Sequence, residues 1–171
     1  MPMNLKPPPL QLPEYWIEIS GRIADYGVYH PGELHQAVVT ARSIRLRTAS
    51  VALLLDGLCR RTCPHCPDPC CLSAKVWFDM TDLLTIYLNG MPMPEAQPIS
   101  QWTAVCRYAG CHGCRLERRD RPWICTWYLC PAQTALLRRS EGPAREDWAA
   151  AVTEIKTLRA ELKRWFTPIV F

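Results

Sequence analysis

Residues that suit a buried helix face recur at intervals of three and four through Leu34, Val38, Ala41, Ile44, Thr48, Val51, Leu55 and Leu58. This spacing lays one side of a helix against a core. The stripe follows Pro31-Gly32 and predicts one long amphipathic helix ending near Gly57, with His35, Arg42 and Arg45 on its wetter side. Val76-Trp77-Phe78 reads as a short buried segment. After it, Asp79 or Thr81 can cap a helix carrying Leu83, Leu84, Ile86, Tyr87 and Leu88, which Asn89-Gly90 stops. A last helix, from about Arg145 to Phe166, aligns Trp148, Val152, Ile155, Leu158, Leu162, Trp165 and Phe166 opposite its charges. A core-packing role for that stripe is favoured over a partner-binding one, and the expected fold class is mainly α.

Residues 1–20 carry Pro2, Pro7, Pro8, Pro9 and Pro13 ahead of Tyr15, Trp16, Ile17 and Ile19. Proline fixes φ and removes a donor, so an extended arm docked by its aromatic end is expected there, with residues 21–171 as a single domain. Residues 91–100 read as a proline-rich connector.

The chain has 171 residues, 49% of them hydrophobic, and seven Trp, enough to bury a core without help from a metal. Its net charge of +4 selects no partner class. The first ten residues lack the apolar run of a secretory signal, and no stretch approaches the ~20 apolar residues that span a bilayer. Ten cysteines without an export signal point to a reducing compartment, and the cytoplasm is the expected location.

Those cysteines fall in two clusters. Cys59, Cys63, Cys66, Cys70 and Cys71 lie within thirteen residues, stiffened by Pro64, Pro67 and Pro69. Cys106, Cys111, Cys114, Cys125 and Cys130 form the second, with Gly110 and Gly113 at turns, a basic run from Arg115 to Arg121, and the apolar stretch 123–130, expected to be buried. So many soft donors on short spacers are what a metal centre needs. The first run has spacers of three, two and three residues, against the two, two and three of the ferredoxin run, which keeps an iron-sulfur cluster in view. Cys63-x-x-Cys66 and Cys111-x-x-Cys114 make two zinc-type knuckles, but one zinc there leaves six thiols idle. Cys59-x-x-x-Cys63-x-x-Cys66 also matches the radical-SAM triad, without the repeated strand-helix pattern such enzymes need. Adjacent side chains point apart, so Cys70 and Cys71 should serve different roles. His65 and His112 sit inside the clusters as outer neighbours or exposed groups; His30 and His35 read as surface.

The run Cys63-Pro-His-Cys66-Pro-Asp-Pro-Cys70-Cys71, followed by Cys106, Cys114 and Arg121-Pro122-Trp-Ile-Cys125, resembles the zinc- or iron-chelating family with the Cys-x-x-Cys-x-x-Cys-Cys signature, often called YkgJ-type. The similarity covers about residues 59–131. The chain departs in the three residues between Cys66 and Cys70 and in the additional Cys59, Cys111 and Cys130, which suggests a divergent subgroup with more ligands. The resemblance implies metal binding without a fixed activity.

The leading expectation is a helical protein whose two cysteine-rich loops bind an iron-sulfur cluster, 4Fe-4S by preference, for redox or electron transfer or as an accessory subunit. Cys59, Cys63, Cys66, Cys70, Cys106, Cys114, Cys125 and Cys130 are the preferred ligands, and Cys71 and Cys111 the undecided pair. A structural zinc module for protein or nucleic-acid interaction is the alternative, with Arg115 to Arg121 as its contact face. An iron-dependent group-transfer enzyme is a third. A protein partner is expected at the N-terminal arm or C-terminal helix rather than nucleic acid.

Overall fold

The computed structural model describes residues 14–110, 113–140 and 144–170, apart from the side chains of Cys71 and Val170. The fold is mainly α, as the periodicity predicts. Helix α1 spans Glu14–Tyr29 and α2 Pro31–Ser50; α3, Ala52–Thr62, then carries the chain to the first cysteine run. Helix α4 is one turn, Cys70–Ser73, and α5 spans Met80–Leu88. A two-stranded antiparallel ribbon, β1 (Ala109–Gly110) with β2 (Gly113–Cys114), leads to the short α6 (Ile124–Trp127), α7 (Pro131–Arg139) and α8 (Ala144–Val170). No helix among the described residues is long and apolar enough to cross a membrane.

Helix α2 is the centre of the bundle and packs most extensively on α8, then on α5 and α1. The main core joins Ile19 and Ile23 of α1, Ala37, Ala41 and Ile44 of α2, Leu83 and Leu84 of α5, and Ile155, Leu162 and Phe166 of α8. The stripe of α8 is thus spent on the core. A second, smaller cluster gathers Val51, Leu55, Leu58, Leu137 and Ala151 where α3 meets α7 and α8.

Two boundaries differ from expectation. The extended arm does not reach residue 20: the helix begins at Glu14, directly after the last proline of the run, and buries Trp16, Ile19 and Ile23 at helical spacing. Residues 1–13 lie outside the described residues. The long helix predicted to end near Gly57 is instead two helices that meet at Val51, which is buried with φ −97° and ψ −2°. Just before the break, the hydroxyls of Thr48 and Ser50 bond back to the carbonyls of Ile44 (2.9 Å) and Arg47 (2.8 Å). Such back-bonding competes with the helical ladder and bends it. Helix α3 then runs through Gly57 to Thr62.

Helix α5 starts where expected. The Asp82 N–H donates to Asp79 Oδ1 (2.9 Å) and the Asp79 N–H to Asp82 Oδ2 (3.0 Å), a reciprocal cap that satisfies two otherwise unpaired donors. Its C-terminus turns at Gly90, with φ 66° and open space where a Cβ would stand. Gly90→Ala should therefore cost only the left-handed backbone strain, about 1–2 kcal/mol, read as a lower urea midpoint at unchanged slope. The connector 91–100 is anchored as well: buried Gln97 accepts from Phe78 N–H (2.8 Å) and donates to Phe78 O (3.1 Å), closing the loop as a strand partner would.

Candidate functional site

Helix α3 presents Asp56 and Cys59 along one side, and Cys63, which caps its C-terminus, follows four residues on. Opposite stands Arg118, in a 3-10 turn over Arg118–Asp120, its side chain only 5% exposed. Its Nε and Nη2 both donate to Asp56 Oδ1, at 3.0 and 2.8 Å, and Nη1 donates to the Cys125 carbonyl at 3.0 Å. Nη2 also lies 3.1 Å from Cys59 Sγ. Burial works against the Arg118 charge, but the Cys59 sulfur and the Asp56 carboxylate outweigh it and hold the guanidinium above its ordinary pKa.

A second buried donor reaches the same sulfur. Gln133 Nε2 lies 3.3 Å from Cys59 Sγ and 4.0 Å from Cys63 Sγ, while its Oε1 accepts from the Cys130 N–H at 3.4 Å. The backbone N–H of Gln133 donates to the Cys130 side chain, so Cys130 caps α7 in the role a serine usually fills. One glutamine therefore touches three cysteines, from α3, from the turn that follows it and from the cap of α7. Two N–H donors thus converge on the Cys59 sulfur, the kind of outer contact that orients a metal ligand.

The first cysteine run folds beside this point. Cys63-Pro64-His65 forms a 3-10 turn that Cys66 closes by donating its N–H to Cys63 O at 3.2 Å. Cys70 opens α4. Burial first, then the neighbouring Cys130, Cys66 and Asp68, push the Cys70 thiol up, which places these groups in one neighbourhood.

The structure thus brings Cys59, Cys63 and Cys130 around Gln133, with Cys66 and Cys70 nearby and Cys125 tied in through its carbonyl. Cys106 and Cys114 are not among the sulfurs that Arg118 and Gln133 reach; Cys114 lies on the ribbon, and Cys106 O receives the Ala109 N–H at the ribbon's base. The side chain of Cys71, and Cys111 and His112 entirely, lie outside the described residues. His30, His35 and His65 are exposed. All eight of the preferred cysteines are partly buried. Their chemistry suits a soft metal, but among the described residues no three His, Cys, Asp or Glu side chains converge as they stand to hold one ion.

Two expectations change here. The basic run is not one contact face, because Arg118 is buried while Arg115 and Arg119 are exposed. The stretch 123–130 is buried at Thr126 but leaves Trp127 and Tyr128 39% and 46% exposed. Sequence reasoning missed Arg118 and Gln133 as sulfur partners. For Gln133 a signal existed: glutamine three residues after a helix-capping position is the second half of a capping box, here headed by Cys130-Pro131. Comparison with known proteins adds no relative: no family model, no curated protein and no solved structure matches the chain.

Proposed function

We propose that the cysteine-rich end of the bundle is a thiolate metal centre, with an iron-sulfur cluster, 4Fe-4S, as the first choice and redox transfer or an accessory role in a larger assembly as its use. The observation that carries this is the pair Cys59 and Cys63 presented to one buried amide, Gln133, whose helix is itself capped by Cys130. Metal-bound sulfurs characteristically receive N–H donors from neighbouring groups, and those outer partners orient them and tune affinity. Cys59, Cys63, Cys66, Cys70 and Cys130 would supply the first ligands, with Cys125, Cys106 and Cys114 as the further candidates. A bound cluster would provide one-electron chemistry; Arg118 would offset its negative charge from within the protein, and Gln133 would fix the sulfurs' orientation. The reading places the protein in the cytoplasm, as a divergent relative of the metal-chelating family its motif resembles. Its partner would be another protein, engaged through the N-terminal residues or the polar side of α8.

The test is anaerobic purification followed by a visible spectrum and iron, zinc and acid-labile sulfide determination on one sample. A brown protein with matched iron and sulfide is the expected result. Colourless protein holding stoichiometric zinc would replace the cluster with the zinc module, and protein free of both metals would sink the proposal.

A further inference from the structure

The segment that carries Arg118 has a second side. There, between α2, α5 and α8, it walls a cavity of about 40 Å³ lined by Arg45, Arg119, Arg121 and Arg159, with Asp82 and Asp120 as its acidic members. Four arginines and two aspartates line it, and the arginines also meet Asp79 and Glu117 at its edge, so what matters is which guanidinium is left over. Arg159 is consumed by Asp79 and Asp82, and Arg45 meets Asp120 at 3.3 Å. Arg119 pairs with Glu117 at the exposed rim. Arg121 donates Nε to Leu116 O at 2.9 Å, and nothing among the described residues accepts from its two terminal nitrogens.

Thr126 also lines this cavity. The residue is 1% exposed, and its hydroxyl has no hydrogen-bond partner among the described residues. An unsatisfied buried hydroxyl is costly, of the order of 1–3 kcal/mol, and native proteins rarely leave one beside empty space unless something fills that space. A buried water needs only roughly 10–15 Å³, so this cavity has room for a somewhat larger polar group. Beside the charges, Ile44, Ile86 and Trp123 give it apolar walls.

We propose that this cavity is a binding site for the carboxylate of a small organic acid, held by the terminal nitrogens of Arg121 and the Thr126 hydroxyl, with its carbon end against the apolar walls. A planar guanidinium fork matches a carboxylate two-to-two. The apolar walls beside the charges favour that group over a tetrahedral oxyanion, which has no carbon end to cover them. The site is separate from the thiol cluster, although Thr126 follows Cys125 directly in the chain.

The full-length protein, with whatever metal it carries as purified, is titrated with sodium acetate, sodium phosphate and sodium chloride at matched ionic strength, while the backbone amide signals of Thr126 and Trp123 are followed by NMR. Acetate should shift both signals saturably and chloride should not. Arg121→Gln should weaken acetate at least tenfold. Thr126→Val should also weaken it several-fold while leaving the ligand-free protein as stable as before or more so, because a methyl replaces an unpaired hydroxyl. The proposal is overturned if acetate does no more than chloride, if phosphate saturates these signals and acetate does not, or if Thr126→Val destabilises the protein and leaves acetate affinity unchanged.

Discussion

Arg159→Leu is expected to remove roughly 3–5 kcal/mol of stability at neutral pH, because it strands a buried carboxylate. Arg159 reaches from α8 to the start of α5, where Nη1 lies 2.7 Å from Asp82 Oδ1 and Nη2 lies 2.7 Å from Asp79 Oδ2. Both Arg159 and Asp82 have side chains 9% exposed, and the guanidinium also stands over the Trp123 ring. Burial pushes the Asp82 carboxyl up to about 6 even against the pull of Arg159, with Asp79 adding to the rise. The sign of the pH dependence follows. Between an unfolded value of about 3.9 and that folded value, the native state holds the extra proton, so the stability contributed by Asp82 is complete below the window and is lost as pH rises through it. Without Arg159 the folded value climbs further. The deficit of the variant should therefore be largest near pH 7.5 and shrink at pH 5, where Asp82 is largely protonated in both proteins. Asp82→Asn combined with Arg159→Leu should recover part of the loss. Urea titrations at the two pH values decide this, and an equal deficit at both would rule out the ion pair as its source.

Gln133→Leu is expected to lower metal affinity about 10–100-fold while leaving every cysteine in place, the usual effect of removing an outer partner of a metal ligand. Cys59→Ser, which removes a sulfur, should bring bound metal to background. Competition with a chelator measures both. Gln133 also completes the cap of α7, and loss of a cap costs about 1 kcal/mol. A thermal midpoint measured on metal-free protein therefore separates the two roles. A Gln133→Leu variant that loses stability and keeps its metal affinity would confine the residue to capping.

The parts of the fold that sequence reading recovered are those decided locally. The stripe through Val152, Ile155 and Leu162 and the acidic pair at Asp79 and Asp82 each carry their own periodicity or capping chemistry within a few residues. The errors arose where two local signals competed. The prolines before Glu14 masked the three-and-four spacing of Trp16, Ile19 and Ile23, and an unbroken apolar stripe hid the hydroxyl back-bonds that divide the chain at Val51. The cysteines were legible as a composition, but their gathering was not. Arg118 meets Asp56 across 62 positions and Gln133 meets Cys59 across 74, and no short window contains both members of either contact. A buried arginine within a basic run looks the same in sequence as its exposed neighbours.

The division at Val51 also separates two cores of unequal size. Helices α3 and α7 are held by five buried aliphatic side chains with Trp148 of α8 partly buried against them, whereas the bundle around α2 is fastened by thirteen buried side chains from four helices and the segment before α5. Free energies of local opening track such differences in buried apolar contact. Amide protons of α3 and α7 should therefore exchange with solvent well before those of α2 and α5, with the bundle intact throughout. The thiols can then be exposed and closed again many times within the lifetime of one folded molecule. The residence time of whatever they hold would be set by the frequency of that partial excursion rather than by global unfolding.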